Sequence, residues 1–198
     1  MDVLKLNIVG ISALLMHNNQ AANPLNNYAK ALKRLSSKRN KTDDDHRELA
    51  RLEWEAGLYL EQGKVGIPAR CIEAAFWNGA KKTKNGVKFK SGVLVEEDFM
   101  TLTHDGPAIT ANGNGEIPNA SLDKYYDKFN YQALVKVGQQ TILRTRPIFQ
   151  NWSFQVTLLF DPTVIDERTL ISIGEDTGRL VGLCDNRPRM GRFMVEKA

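Results

Sequence analysis

Residues 3–9 (VLKLNIV) alternate apolar and polar side chains, and no other feature of the sequence limits the fold as strongly. The alternation predicts a strand with one buried face. Residues 152–160 (WSFQVTLLF), which end at an Asp-Pro pair, predict a second strand. The fold class therefore depends on the elements that lie between these strands and after them.

Two predicted helices complete the pattern. Ile67–Pro68 predicts the start of a helix that runs to about Lys82, because proline is tolerated in the first turn. Asp166 predicts the N-cap of a helix that reaches about Leu180. Further strands are predicted within residues 84–103, over 133–145 and over Arg189–Glu196. The order strand, helix, strand, strand, helix, strand predicts an α+β protein with a ferredoxin-like or RRM-like (RNA-recognition-motif-like) βαββαβ core.

Two insertions are expected within a single domain over residues 1–198. Residues 18–63 predict a helical insertion after the first strand, in which Thr42 and Asp45 have the spacing of a capping box. Residues 105–130 are rich in Gly, Asn and Pro, and they predict a long flexible insertion in the middle hairpin.

The composition, 42% hydrophobic and 25% charged residues, is that of an ordinary globular protein. No apolar run of about 18 residues is present, and the first residues fit a strand better than a signal peptide. We therefore expect a cytoplasmic protein with no membrane partner.

Cys71 and Cys184 are far apart in sequence, so reduced thiols are expected, with a disulfide as the alternative. His17, His46 and His104 lack the spacing of metal ligands, so neither a metal nor another cofactor is expected.

Glycines and arginines concentrate within residues 174–193 (GEDTGRLVGLCDNRPRMGRF), and three of the arginines lie within the six positions 187–192. Glycines let a backbone approach a ligand and expose its N–H groups, while arginines supply planar cations that match phosphate oxygens. The stretch therefore predicts a loop that grips phosphate, with a glycine C-cap and a turn before an edge strand as the alternative. Its candidate residues are Gly178, Gly182 and Gly191 for the backbone and Arg187, Arg189 and Arg192 for the side chains.

Other basic residues are also clustered, although the net charge is only +4. Arg144 and Arg146 lie two apart on a predicted strand, which places both on one face and favours an anion over them, with a pair exposed to solvent as the alternative. Residues 30–41 and 80–90 contain no acid, and they predict an outer basic rim or, as the alternative, solvated helix ends and hairpin tips. Phe89 is a candidate for base stacking or for the core. The basic candidates of these two segments are Lys38, Arg39, Lys41, Lys81, Lys82, Lys84 and Lys88.

His17, which follows the first strand, is the candidate for general acid–base catalysis. No serine or cysteine nucleophile motif, carboxylate pair or phosphate-binding glycine motif accompanies it. The sequence therefore favours binding over catalysis.

Three segments together carry a resemblance to a known family: the start LKLNIVGISALLMHN, the segment IPARCIEAAF and the terminal GRLVGLCDNRPRMGRFMVE. They resemble the RAMP superfamily, the ferredoxin-fold subunits that line the guide RNA in CRISPR effector complexes. In that family an IP-x-x-x-I/L segment opens the first helix, as at Ile67, Pro68 and Ile72, and a glycine-rich loop precedes the final strand. Cys184 stands where such loops often have a glycine. The pieces RTRPIF…W and RPR-x-GRF are also similar to short proteins of phages and prophages.

The resemblance implies a phosphate-gripping loop, a thumb-like projection at residues 105–130 and side-by-side assembly along a strand. We therefore expect an oligomerising phage protein, in the form of a homo-oligomer or a filament, that binds single-stranded RNA or DNA without sequence specificity and without catalysis. One alternative is an RNA-processing endonuclease of the same superfamily that uses His17. Another is a phage assembly or anti-defence protein whose arginines pair with an acidic protein partner.

Overall fold

A computed structural model describes residues 1–112 and 117–198 of the chain. The protein is mixed α+β with antiparallel sheets, as the sequence predicts. It divides into two compact units. Unit 1 comprises Met1–Leu14, Lys64–Ala108 and Phe149–Ala198, and unit 2 comprises Leu15–Gly63 and Ile109–Ile148.

The strands, in chain order, are β1 (Asp2–Gly10), β2 (Leu14–Leu15), β3 (Leu60–Glu61), β4 (Lys64–Pro68), β5 (Val93–Val95), β6 (Phe99–Thr101), β7 (Thr103–His104), β8 (Asn130–Val137), β9 (Gln140–Phe149), β10 (Trp152–Phe160) and β11 (Phe193–Lys197). The helices are α1 (Asn27–Ser36), α2 (Asp43–Gly57), α3 (Ala69–Lys82), α4 (Gly86–Gly92), α5 (Asn119–Phe129) and α6 (Glu167–Leu180), and a short 3-10 helix covers Asn19–Ala22. Among the described residues, no helix has the length and hydropathy of a membrane-spanning segment.

The main sheet of unit 1 has the strand order β11-β1-β10-β5, and each neighbouring pair is antiparallel. In the β1–β10 pair, Leu4 lies opposite Leu158 and Leu6 lies opposite Val156. Leu4, Leu6 and Ile8 are fully buried, so the alternation of the first strand supplies one apolar face of this sheet.

Helices α3 and α6 pack against each other in unit 1. Gly79 permits this approach, because a Cβ atom there would lie 1.9 Å from Oγ1 of Thr177. Phe76 of α3 stacks on Phe193 of β11 with ring centroids 6.3 Å apart. The side chain of Asp166 accepts a backbone N–H from the first turn of α6, so the N-cap predicted for this helix is confirmed.

Helix α4 occupies part of the segment 84–103, for which the sequence predicts strand, turn and strand. Its buried residues, Gly86, Phe89 and Gly92, recur at every third position, whereas a half-buried strand would bury every second one. The Phe89 ring lies 6.2 Å from that of Phe76, so packing against α3 favours the helix.

Two other boundaries of unit 1 differ from the predictions. Ile67 and Pro68 end strand β4, and helix α3 begins after them at Ala69. The last strand begins at Phe193 because Gly191 has a φ of +71°, which regular strands do not adopt. The residues before Phe193 therefore belong to a loop.

Helix α2 of unit 2 begins with the predicted capping box. Thr42 Oγ1 accepts the Asp45 N–H at 3.2 Å, and the Asp45 carboxylate accepts the Thr42 N–H at 3.0 Å. Further along α2, the buried indole N–H of Trp54 donates to the carbonyl oxygen of Phe129, at the end of α5, over 2.9 Å. Strands β8 and β9 form an antiparallel hairpin whose turn contains Gly138, with a φ of +60°.

The segment 105–130, for which the sequence predicts a flexible insertion, contains helix α5 and the first residue of β8. Tyr125 and Phe129 are buried and lie four positions apart, on one face of α5. Burial of these aromatic residues stabilises helix α5. The Gly-, Asn- and Pro-rich composition of the segment does not reveal this helix. Residues 113–116 lie outside the described part of the chain.

Candidate nucleic-acid interface

Residues 181–192 join α6 to β11, and we call them the arginine loop. Arg187, Arg189 and Arg192 are all exposed. Within the described part of the chain, none of their guanidinium groups forms an ion pair with a carboxylate. The loop therefore presents three cations within six positions. Such a cluster is what the binding of phosphate groups requires.

The backbone of the arginine loop is fixed by hydrogen bonds within unit 1. The Gly191 N–H donates to the Ala13 carbonyl at 2.7 Å, and the Arg192 N–H donates to Ser12 Oγ at 2.9 Å. The Leu183 N–H donates to the Gly191 carbonyl at 2.8 Å. These bonds hold the loop against the residues that follow β1, so the arginine side chains extend from an anchored backbone.

The glycines of this region serve the packing of the chain on itself. A Cβ atom at Gly178 would lie 2.1 Å from the Phe193 carbonyl oxygen, and at Gly182, whose φ is +75°, it would lie 2.8 Å from the Met190 carbonyl oxygen. The Gly182 N–H donates to the Thr177 carbonyl at 2.8 Å. Since the N–H groups of Gly182 and Gly191 are already used within the chain, the loop offers side chains rather than these backbone donors to a phosphate.

Arg187 shares an open pocket of about 600 Å³ with the end of α3. Lys82, in the last turn of that helix, lines the pocket together with Asn78 and Asp185. A cation in this position also interacts favourably with the helix dipole, which accounts for Lys82 without a ligand. The pocket nevertheless brings two predicted basic residues from distant parts of the sequence to one site.

Cys71 and Cys184 form no disulfide, and their side chains are hydrogen-bonded to each other. A hydrogen bond with Cys71 and, after it, burial raise the pKa of Cys184 well above the ordinary value, while the nearby Arg187 acts in the opposite direction. At neutral pH Cys184 is therefore a neutral thiol rather than a reactive thiolate. Sequence separation gave no sign that the two cysteines would meet.

Three lysines of residues 80–90 line a pocket together with Trp77, which the sequence did not indicate as a candidate. Lys81, Lys84 and Lys88 are exposed, whereas Phe89 is only 4% exposed and packs in the core, so its ring offers no face to a base. Lys81 Nζ instead lies 3.2 Å from the ring centroid of Trp77. The spacing of four between these two residues on a predicted helix was the available signal.

Unit 2 contains a second basic site, a groove of about 660 Å³. Arg144 and Arg146 both line it, as their spacing of two on a strand predicts. Lys33 and Lys136 also line the groove, and Glu53 is the carboxylate among its lining residues. The described lining residues therefore include four basic side chains and one acid.

Glu53 compensates part of this charge. Its carboxylate forms an ion pair with Arg144 and accepts the Thr145 N–H at 2.9 Å. The expected repulsion between neighbouring arginines is therefore reduced by an internal acid, which sequence spacing did not identify. His17 lines the same groove, and its carbonyl oxygen accepts the Tyr59 hydroxyl at 3.1 Å.

The candidates of residues 30–41 differ in their availability. Arg39 is exposed. Lys38 pairs with Asp45, and Lys41 donates to the Lys38 carbonyl oxygen at 2.9 Å. The hydrogen bond from Lys38, followed by that from the Thr42 backbone, lowers the pKa of Asp45 to about 2. Lys38 therefore has a structural role at the start of α2, besides being one of the basic candidates.

Across the described residues, no group of three or more His, Cys, Asp and Glu side chains is placed to hold a metal ion. The arrangement in each unit is that of cationic side chains around an open surface, which suits the binding of an anionic polymer. Comparison with models of known protein families and with curated protein sequences finds no match to this chain.

Proposed function

We propose that the protein binds single-stranded nucleic acid through its phosphate backbone, without sequence specificity and without catalysis. The observation that carries the proposal is the set of three exposed arginines, Arg187, Arg189 and Arg192, on an anchored loop, which form no ion pair with a carboxylate of the described residues. Guanidinium groups form paired hydrogen bonds with phosphate oxygens, and an anchored backbone reduces the entropy lost when they do. Contacts to phosphate carry little base information, which is why specificity is expected to be low.

The basic groove of unit 2 supports the same proposal. Its described lining residues include four basic side chains and one acid, so the lining has an excess of positive formal charge. An anionic strand would offset this excess. Each unit thus offers a phosphate-binding surface of its own.

A ferredoxin-like core and a relation to the RAMP superfamily belong to this proposal. In support, β1, α3, β5, β10, α6 and β11 follow one another in the order strand, helix, strand, strand, helix, strand. The sheet order β11-β1-β10-β5 and its antiparallel pairs agree with that fold. The proposal also includes side-by-side assembly on a strand, which the same resemblance implies, together with a phage origin and a cytoplasmic location. Size-exclusion chromatography with short and long single strands tests the assembly, since a larger complex should form only on the longer strand.

The binding proposal is tested by fluorescence anisotropy with labelled single-stranded DNA and RNA. Changing Arg187, Arg189 and Arg192 together to alanine should weaken binding to all sequences by a similar factor. The matched control removes three other exposed arginines, each of which already pairs with a carboxylate: Arg34, Arg47 and Arg179. Both variants lose the same formal charge. Equal weakening by the two variants would contradict a specific role for the arginine loop, and absence of binding by the unmodified protein would leave an acidic protein partner as the better candidate.

A second candidate function is RNA cleavage. The observation in its favour is that His17 lines the same groove as Arg144 and Arg146, so a general base would lie beside phosphate-binding cations. Incubation with a hairpin RNA tests it: cleavage that His17→Ala abolishes would establish this function. Intact RNA in the presence of full binding would remove it.

A further inference from the structure

A pocket of about 470 Å³ lies in unit 1 between the end of α3 and helix α4. It combines one aromatic ring with three cations. Trp77 and Lys81 come from α3, Lys84 from the turn that follows, and Lys90 from α4. The remaining lining residues are Gly86, Val87 and Ser91, so the described lining contains no acid.

Trp77 differs from the other two tryptophans of the chain. Trp54 and Trp152 are 0% and 3% exposed, and both indole N–H groups donate to backbone carbonyls. The Trp77 side chain is instead half-buried at the pocket, beside Val87, which is 83% exposed. An aromatic ring and a branched apolar side chain are therefore accessible side by side at the surface.

The cations are close to the ring. Lys81 Nζ lies 3.2 Å from the Trp77 ring centroid, and Lys90 Nζ lies 5.5 Å from it. Contact between Lys81 and Trp77, four positions apart on one helix, also stabilises the helix end without any ligand. That contact explains Lys81, but it does not explain why Lys84 and Lys90 line the same acid-free pocket, where three like charges repel one another.

From these contacts we infer that the pocket binds one nucleotide of a single strand, with the base stacked on Trp77 and the phosphate held by the surrounding lysines. Lys81 leaves the ring face and turns to the phosphate when the base arrives. The exchange is favourable because a cation over an exposed ring is held more weakly than a stacked base. Every base has an aromatic face, so this site agrees with binding that ignores sequence.

The inference rests on the proposed function and gives that function a base-stacking residue, in place of Phe89. Helix α3 connects the stacking pocket with the pocket that includes Arg187. Asn78 and Lys82 on α3 line the pocket that includes Arg187, and Trp77 and Lys81 precede them by one position each. Neighbouring strips of the same helix end therefore line the stacking pocket and the arginine-loop pocket within unit 1.

The test uses intrinsic tryptophan fluorescence, excited where thymine does not absorb, during titration with an oligothymidine strand. Only Trp77 is exposed to a base, so binding should quench its emission in the unmodified protein. In Trp77→Phe the quenching should disappear, while the affinity, measured by anisotropy of a labelled strand, should fall by less than in Trp77→Ala because phenylalanine keeps an aromatic face. Trp77→Ala should weaken the affinity by roughly 5- to 100-fold, which corresponds to the stacking of one base.

Thymidine monophosphate serves as a second probe, because it fills one pocket without needing the arginine loop. Strand binding with no quenching, and with Trp77→Ala as tight as the unmodified protein, would overturn the stacking site and leave the proposed function standing. Quenching by the monophosphate that Trp77→Phe abolishes, in a protein that binds no strand, would keep the nucleotide site and contradict the proposed function. Absence of both signals would overturn both.

Discussion

Replacing Gly191 with alanine tests whether the arginine loop is anchored by its own backbone. The φ of Gly191 is +71°, and an added Cβ atom would lie 2.0 Å from the Leu183 carbonyl oxygen and 2.8 Å from the Leu183 nitrogen. The left-handed conformation costs a residue with a Cβ atom about 1–2 kcal/mol. Overpacking against backbone atoms adds about 1–3 kcal/mol. The hydrogen bond from the Leu183 N–H to the Gly191 carbonyl oxygen prevents the two backbones from separating to make room for the Cβ atom. We expect Gly191→Ala to lower the free energy of unfolding by about 2–5 kcal/mol.

Gly138 supplies a matched control for this change. Its φ is +60°, similar to that of Gly191, but nothing lies within 4 Å of an added Cβ atom. Gly138→Ala should therefore cost only the conformational part, about 1–2 kcal/mol. Urea unfolding followed by circular dichroism measures both variants. If Gly191→Ala lowered the free energy of unfolding by no more than Gly138→Ala, the backbone contacts would not anchor the arginine loop.

Two further predictions concern ionisable groups. The pKa of Asp45 is lowered from 3.8 to about 2, so its stabilising contribution should be present above about pH 4 and lost as the pH falls through about 2. The difference in urea midpoint between the unmodified protein and Asp45→Asn should accordingly be full at pH 7 and nearly absent near pH 2; a difference that stayed constant with pH would contradict the role of the carboxylate. The raised pKa of Cys184 predicts slow alkylation by iodoacetamide at pH 8 in the folded protein, measured by mass spectrometry, and fast alkylation in urea. Cys71→Ala should speed the folded-state reaction, since Cys71 is the largest cause of the shift, and an unchanged rate would count against it.

Local patterns were enough to predict the first strand and the starts of two helices. The period of two in β1 follows directly from which side chains face the core, so residues 3–9 revealed a strand without further information. Cap residues are equally local, because the side chain of an N-cap bonds to a backbone only two or three residues away. Thr42 and Asp166 were therefore recognised at the starts of their helices.

Errors arose where distant packing decides the local structure. Helix α4 exists because Phe89 packs against Phe76 of another helix, and no local pattern reports that contact. Helix α5 was hidden by the composition of the residues before it, although Phe129 is fixed by burial and by the indole of Trp54. In both segments tertiary contacts override the turn-forming residues nearby.

The sequence revealed the clusters of basic residues at the candidate site. It did not reveal the distant residues that contact them. The cluster of arginines at residues 187–192 could be recognised because like charges near one another in sequence are also near one another in space. The Arg144–Glu53 pair joins residues far apart along the chain, so spacing could not reveal it. The same is true of the Cys71–Cys184 contact. For the glycines the sequence left two roles open, a phosphate grip or a C-cap and turn, because only the structure shows which backbone atoms approach a missing Cβ.

The salt dependence of single-strand binding tests the central claim most directly. Each phosphate neutralised on a single strand contributes about −0.7 to the slope of log affinity against log salt concentration. If Arg187, Arg189 and Arg192 each neutralise one phosphate, their joint replacement by alanine should reduce the steepness of the slope by about 2, while the control that lacks Arg34, Arg47 and Arg179 keeps the original slope. An unchanged slope in the arginine-loop variant, or an equal loss in the control, would contradict phosphate binding by this loop.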